Sequence, residues 1–412
     1  MYQILEMNDQ IIENPFKSFW MAGFECSDQL NFHGDRVDFL NITSHLTLID
    51  EDYERLKKFN FYTVREGLRW SQIETEPYIY DFGILEKMLL AGQKHGIQQI
   101  WDICHFGFPA DLTPLHPHFT MRFAALCEAF VSYYKSFGFE LPLIVTPINE
   151  VSFMSWLGGD VAATSPYCRN NGWEVKYAYM RAYIAGVKVM REVDPTVRIL
   201  TTEPLVSLSA NLNATQEQIT IAKEHHDLQY QSVDMLCGRI CPELGGKPEY
   251  LDMLGFNYYY NNQWIVEPHQ MLGWNDPVPH QNLRLLSSLL TEAHERYDRP
   301  ILLSETSHPR EDRPVWIKHI SVEITKLIQK DIPIWGVCIY PIIDRPNWDN
   351  LDDWHNSGLW DMDPESGLDS RILHQPSANA LLECQELIAA SLAPAKNQNY
   401  YLKKGESTLI KS

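Results

Sequence analysis

The chain has 412 residues, and its 34 basic and 54 acidic side chains give a formal net charge of −20 and a pI near 5.1. This acidity argues against nucleic acid or an anionic membrane as a partner, because both require a positive protein face. Hydrophobic residues make up 45% and charged residues 21% of the chain, which excludes a disordered protein.

The first residues and the cysteines set expectations about location and domains. Residues 1–15 lack the basic start and apolar core of a signal peptide, and no apolar run is long enough to predict a membrane-spanning helix. The eight cysteines are scattered without a disulfide framework, as in reduced cytoplasmic proteins. We therefore expect a cytoplasmic protein with a lead-in (1–15), one large domain (16–391) and a polar tail (392–412).

Eight short apolar segments are typical of buried β-strands. They are near-continuous runs of aliphatic and aromatic residues, which is the pattern of parallel strands covered on both faces. The predicted strands are 19–24, 62–68, 98–104, 143–148, 197–202, 253–258, 300–304 and 335–340.

Helical patterns occupy the intervals between these strands. The predicted helices are 51–59, 82–95, 119–137, 174–193, 283–297 and 314–329. This alternation predicts an α/β fold, a single-domain (β/α)8 TIM barrel, with a doubly wound open sheet as the alternative. Nucleotide binding has no support, because no glycine-rich phosphate loop opens a helix after a strand.

Four connections are longer than a minimal barrel needs. They follow strands four, five, six and eight, at 151–173, 203–250, 261–280 and 344–375. Loops that follow barrel strands lie together on the face where such proteins carry their active sites. The sequence therefore predicts extended loops around one pocket.

Two acids directly follow apolar strands, Glu150 after strand four and Glu305 after strand seven. A carboxylate at that point projects at the barrel mouth, where burial is costly unless the group is used or paired. Two facing acids meet the need of glycosidic cleavage, in which one protonates the leaving oxygen and the other attacks the anomeric carbon or activates water. Two purely structural carboxylates are the alternative. Glu203, after strand five, is a third acid, for which we favour pairing with an arginine.

Five segments at successive strand ends carry a family resemblance. They are VREGLRWSQI (64–73), CHFGFP (104–109), TPINE (146–150), LGFNYY (254–259) and LSET (303–306). Together they resemble the corresponding segments of family 1 glycoside hydrolases of clan A, and the similarity extends over about residues 19–363. The sequence is thus similar to a divergent member of that family.

The resemblance implies a retaining β-glycosidase that needs no cofactor or metal. It assigns the acid/base role to Glu150 and the nucleophile role to Glu305, and it places Arg65 and Tyr259 against Glu305. Asn149 would hold the sugar 2-hydroxyl. The other implied substrate-binding residues are His105, Gln29, Tyr340, Asn347 and Trp348.

Three positions depart from the family pattern. Tyr340 replaces a tryptophan that stacks on the sugar, Asn347 replaces a glutamate that binds the outer hydroxyls, and Phe106 replaces another tryptophan. These departures predict an altered sugar-recognition subsite acting on a short β-linked glycoside, and the acidic loop 349–354 disfavours a phosphorylated sugar. The alternatives are a transglycosylase that uses the same covalent intermediate and a catalytically inactive carbohydrate-binding barrel. The oligomeric state stays open.

Overall fold

The computed structural model describes residues 11–363, 367, 370–392 and 400–401. Eight parallel strands close into a barrel in the order β6-β7-β8-β1-β2-β3-β4-β5, with β5 pairing β6. This confirms the predicted (β/α)8 barrel, and the structure does not have the open sheet. The barrel strands are β1 Trp20–Gly23, β2 Thr63–Gly67, β3 Gln98–Cys104, β4 Ile144–Ile148, β5 Arg198–Pro204, β6 Met253–Asn257, β7 Ile301–Thr306 and β8 Ile334–Ile339.

Helices surround the barrel. The longer ones are His45–Lys57, Gly83–His95, Phe119–Lys135, Val151–Gly159, Gly172–Val193, Gln216–Asp227, Leu286–Tyr297, Arg313–Gln329 and Gln375–Leu392. Helix His45–Lys57 begins six residues before the predicted start at residue 51. Its buried face already includes His45 and Ile49. Two of the longer helices lie inside the predicted connections 151–173 and 203–250, and the last was not predicted.

Shorter elements complete the described chain. The short α-helices are Phe39–Ile42, Trp70–Ile73 and Gln231–Leu236. A small three-stranded sheet is formed by Ser207–Ser209, Gln263–Ile265 and Gln270–Met271. Ile11–Ile12 pairs with Tyr400–Tyr401 in antiparallel orientation, and the rest of the predicted tail beyond Leu392 lies outside the described residues. Within the described part of the chain, every helix is too short or too polar to cross a lipid bilayer.

Alternation along the strands places polar groups above an apolar floor inside the barrel. A separate buried cluster, which includes Met21, Ile100, Ile144, Leu302 and Trp335, fills the interior. Side chains two residues apart on a strand point the same way, so Asp102 lies on the same side of β3 as Ile100, one layer nearer the carboxyl end. The polar layer at the mouth therefore rests on close-packed hydrocarbon that holds it in position.

A buried ionic cluster lies between the barrel and its first helix, outside the mouth. His45 contacts Asp52 through Nδ1 at 2.9 Å and Glu66 through Nε2 at 3.1 Å, and the Tyr53 hydroxyl donates to Glu66 at 2.7 Å. Arg371 donates to both oxygens of Asp52, at 2.9 and 3.0 Å. Arg371 thus joins the C-terminal end of the domain to its first β/α unit, 319 residues away in sequence.

Because of this cluster, we expect the stability of the fold to decrease as the pH becomes alkaline. Burial alone would lower the pKa of His45, but Glu66 and Asp52 outweigh it and raise the pKa to about 9 from 6.5. A raised folded-state pKa stabilises the fold fully below pH 6.5, and this stabilisation is lost as pH rises towards 9. We expect the free energy of unfolding, measured in urea, to fall by about 3 kcal/mol more in the wild type than in His45→Gln over that range. His225→Gln is the control, because His225 is exposed, and a wild-type slope equal to that of His45→Gln would contradict the prediction.

Candidate active site

Glu150 lies at the mouth of the barrel in a fixed backbone conformation. It follows β4 directly, has a left-handed φ of 47°, and its backbone N–H donates to the Thr202 carbonyl at 2.8 Å. The Glu203 carboxylate accepts hydrogen bonds from the backbone N–H groups of Val151 at 3.0 Å and Ser152 at 3.1 Å. Glu203 therefore anchors the first turn of helix Val151–Gly159 beside Glu150, through backbone amides and not through the arginine that the sequence favoured.

The surroundings of Glu150 favour its protonated form. Its Oε1 accepts from Asn257 Nδ2 at 2.9 Å, and the Ser304 hydroxyl donates to the other side of the same amide at 2.7 Å. Burial raises the pKa of Glu150 well above its ordinary value, and the negative charge of Glu305 raises it further. Asn257 acts in the opposite direction but is neutral, so the proton stays on Glu150 into a higher pH range.

Glu305 has the opposite surroundings. Its two carboxylate oxygens accept from Arg65 Nη1 and from the Tyr259 hydroxyl, each at 2.8 Å. Burial by itself lowers the pKa of the fully buried Arg65, but Asp102 and Glu305 raise it well above its ordinary value, so the guanidinium keeps its charge. The prediction that Arg65 and Tyr259 contact Glu305 agrees with these bonds.

Asp102 and His105 extend this network across the mouth. Asp102 Oδ2 accepts from Arg65 Nη2 at 2.6 Å and lies 2.8 Å from His105 Nδ1, while Asn149 bridges Arg65 at 3.3 Å and His105 Nε2 at 3.1 Å. Burial opposes a charge on His105, but Asp102 raises its pKa. Asn149 and His105 are therefore held in one orientation by charged partners.

Aromatic rings line the outer part of the mouth. Tyr340 lies parallel to His105 with ring centroids 5.8 Å apart, and the Arg65 guanidinium carbon is 5.1 Å from the Tyr340 centroid. Phe106 packs edge-on against Trp348 at 5.4 Å. Tyr340 and Phe106, two of the three positions at which the sequence departs from the family pattern, thus belong to the wall of the site.

Three further predicted binding residues are less tightly connected. Gln29 is buried, and both polar atoms of its amide have no hydrogen-bond partner among the described residues. The same holds for Trp348 Nε1. Asn347 accepts from the backbone N–H of Asp349 at 2.9 Å, so its carbonyl oxygen is occupied within its own loop.

Four residues of the network were not singled out from the sequence: Asp102, Asn257, Glu25 and Arg345. An acid in the middle of the apolar run 98–104 is a signal, because a buried charge needs a partner. Asn257 lies in the segment LGFNYY (254–259), but it has no charge that would distinguish it from its neighbours. Glu25 and Arg345 pair only through the closure of the barrel between β1 and β8.

One group of potential metal ligands lies in this region. Cys26, Asp102 and His105 place ligand atoms within 4.8 Å of one another. Arg65 and His105 already bind Asp102, and a guanidinium cation beside the carboxylate opposes a metal ion there. The donor set therefore fits the hydrogen-bonded network better than a metal centre.

Comparisons with known proteins support the fold. No protein-family model matches the sequence, and no curated protein matches it. Among solved structures, the β-glucosidase from Thermotoga maritima in complex with glucoimidazole aligns over 91% of this chain and 99% of its own, with a TM-score of 0.74 and 15% identity. The AHE enzyme from Alicyclobacillus herbarius aligns over 93% of this chain and 100% of its own, with a TM-score of 0.72 and 15% identity. The chain thus has the fold of family 1 β-glucosidase structures.

Proposed function

We propose that the chain is a retaining β-glycosidase that hydrolyses a short, uncharged β-linked glycoside. The observation that carries the proposal is the contrast between two acids of one network. Glu150 has a raised pKa and a single neutral amide donor, whereas Glu305 has a guanidinium and a phenol donor. Two carboxyl groups with divergent surroundings are the arrangement that assigns one to acid catalysis and the other to nucleophilic attack. The shared fold with structures that bind sugar-like inhibitors adds support for a small carbohydrate ligand.

In the first step, Glu150 donates its proton to the glycosidic oxygen while a Glu305 oxygen attacks the anomeric carbon. The bond to the aglycone breaks, the aglycone leaves as an alcohol, and the sugar is bound to Glu305 as an ester. Arg65 and Tyr259 hold the Glu305 carboxylate towards the ring. Asn149 is oriented to bind the 2-hydroxyl, where hydrogen bonds strengthen in the transition state.

In the second step, the deprotonated Glu150 takes a proton from a water molecule whose oxygen attacks the anomeric carbon. The ester bond to Glu305 breaks, and the sugar leaves with its original β configuration. Because Glu305 loses its negative charge while it is esterified, it stops raising the pKa of Glu150, which then serves as a base.

The direct test is covalent trapping of the intermediate. In an activated 2-deoxy-2-fluoro-β-glycoside, the fluorine slows both steps, but the good leaving group keeps the first step fast enough to occur. The ester therefore accumulates, and we expect the chain to gain the mass of one fluorosugar. Peptide mass spectrometry should place that mass on Glu305. NMR of the first product from an aryl β-glycoside should show the β anomer, and an α anomer would contradict a retaining mechanism.

The two alternative functions give different results in the same assays. A transglycosylase would label Glu305 but would transfer the sugar to an added alcohol in preference to water. A catalytically inactive binding barrel would bind sugar in calorimetry, show no labelling of Glu305 and hydrolyse no member of a panel of aryl glycosides.

A further inference from the structure

Glu25 is a buried carboxylate at the mouth with few close partners. It lies two residues beyond β1, and its side chain is 4% exposed. Its Oε1 accepts from the Ser27 backbone N–H at 3.1 Å and lies 3.5 Å from the Tyr340 hydroxyl and 3.8 Å from His105 Nε2. Through His105 it is one contact away from Asn149 and Asp102. Glu25 therefore borders the catalytic network but is not saturated by it.

The second oxygen of Glu25 faces a single cation at a long distance. Arg345 Nε lies 3.5 Å from Oε2, beyond a well-formed hydrogen bond, and this Nε has no hydrogen-bond partner among the described residues. Burial by itself raises the pKa of Glu25, but Arg345 and His105 lower it overall, so the group is ionised. An ionised carboxylate accepts up to about four hydrogen bonds; the Ser27 backbone N–H is at a typical hydrogen-bond distance from Glu25, and Tyr340 and Arg345 lie at 3.5 Å, which leaves capacity for a ligand.

Nearby groups share this lack of partners. The Arg345 guanidinium carbon lies 5.5 Å from the Trp348 ring, whose Nε1 has no partner among the described residues. Buried polar groups are normally paired, so the unpartnered Arg345 Nε and Trp348 Nε1 on one side of an ionised carboxylate indicate a place for a polar ligand.

We infer that Glu25, neutralised by Arg345, is the residue that binds the outer hydroxyls of the sugar ring. This rests on the proposed function and extends it to the substrate class, a neutral pyranoside with free hydroxyls. The resemblance assigns this task to position 347, but the Asn347 carbonyl oxygen is bonded to Asp349. Glu25 supplies from β1 the carboxylate that position 347 lacks. Because the Glu25–Arg345 pair has no net charge, it has no excess attraction for a phosphate or a uronic acid.

The test combines an isosteric variant with sugars that lack one hydroxyl. Glu25→Gln keeps the shape of the side chain and removes its charge. We expect kcat/KM for an aryl β-glycoside to fall by roughly 10- to 100-fold, the effect of losing a charge-assisted hydrogen bond. For the matching 3-, 4- or 6-deoxy sugar that lacks the bound hydroxyl, the wild type and the variant should agree within about threefold, because that contact is already absent.

The matched control is Glu323→Gln. Glu323 is another buried carboxylate, in helix Arg313–Gln329, and it accepts hydrogen bonds from Lys326 of the same helix and from Ser287 of helix Leu286–Tyr297. The control variant should lower kcat/KM for parent and deoxy sugars equally or not at all. The inference is overturned if Glu25→Gln loses the same factor on every deoxy sugar, if it loses nothing on the parent sugar, or if the wild type prefers an aryl glucuronide.

Failure of the proposed function is recognised separately. If the wild type turns over no glycoside and Glu305 is not labelled, the hydrolase proposal fails, and calorimetry with a glucose-shaped imidazole inhibitor then decides the inference. Weaker binding to Glu25→Gln than to wild type, by the same roughly 10- to 100-fold, supports Glu25 as the sugar-binding residue, and equal binding excludes it.

Discussion

Replacement of Glu305 by alanine should reduce kcat for aryl β-glycosides by at least about 10⁴-fold, and sodium azide should restore a large part of it. The loss is expected because the variant has no group that can attack the anomeric carbon. Azide fits the space left by the carboxylate, forms a bond to the anomeric carbon from the same face, and the aglycone still leaves with the proton of Glu150. The product should be an α-glycosyl azide, identified by NMR.

The variant must be compared with the wild type under conditions where both are folded. Thermal unfolding and far-UV circular dichroism provide that check, since removal of Glu305 leaves Arg65 with Asp102 as its remaining carboxylate partner. Glu305→Gln, which fills the space, should be equally inactive but should not respond to azide. Turnover above one hundredth of the wild-type rate in either variant without azide would exclude Glu305 as the nucleophile.

Replacement of Glu150 by glutamine should affect substrates according to their leaving groups. For an alkyl glycoside, whose aglycone must be protonated, we expect kcat/KM to fall by about 10²- to 10⁴-fold, the usual contribution of general acid catalysis. For a dinitrophenyl glycoside the first step needs no proton. Hydrolysis of the ester to Glu305 then becomes the slow step, so kcat and KM should fall together.

The pH profile gives a second measurement on the same variant. Because the protonated form of Glu150 is the acid, wild-type kcat/KM should decline as pH rises through its pKa, which burial and Glu305 raise. This alkaline decline should disappear in Glu150→Gln. Azide should accelerate Glu150→Ala, which leaves room for the anion, on the dinitrophenyl glycoside and yield the β-glycosyl azide. An unchanged alkaline limb would assign the acid to another residue.

The strands and helices of this fold differ in how far sequence predicts them. The barrel strands are buried on both faces, so a largely apolar run such as Gln98–Cys104 marks its own ends. Helix Gln375–Leu392 was missed although its buried residues Ala378, Leu381, Cys384 and Ile388 are spaced three or four apart, which is a sufficient signal. The helices inside the long loops are short or amphipathic and depend on packing that the sequence does not display.

The residues of the candidate site also differ in how far the sequence predicts them. Glu150 and Glu305 are predictable because each is an acid placed where an apolar strand ends. The pairing of Asp102 with both Arg65 and His105 joins two strands, and the pairing of Glu25 with Arg345 joins the first strand region to the last. Such contacts are set by the register of the closed barrel, which a local pattern does not contain. The structure shows how these residues are arranged, whereas the catalytic roles of Glu150 and Glu305 and the binding roles of the other predicted residues stay predictions.

The bond between Arg371 and Asp52 has a consequence for how the protein is made. While the chain is being synthesised on the ribosome, Asp52 and Glu66 emerge together with His45 but without the guanidinium that arrives 319 residues after Asp52. Until then Asp52 is paired with His45 and Arg55, at 2.9 and 3.0 Å, and lacks the two hydrogen bonds that Arg371 donates. The first unit of the barrel therefore reaches its final pairing only after residue 371 has been synthesised and has left the ribosome, and a chain released before that point lacks this contact.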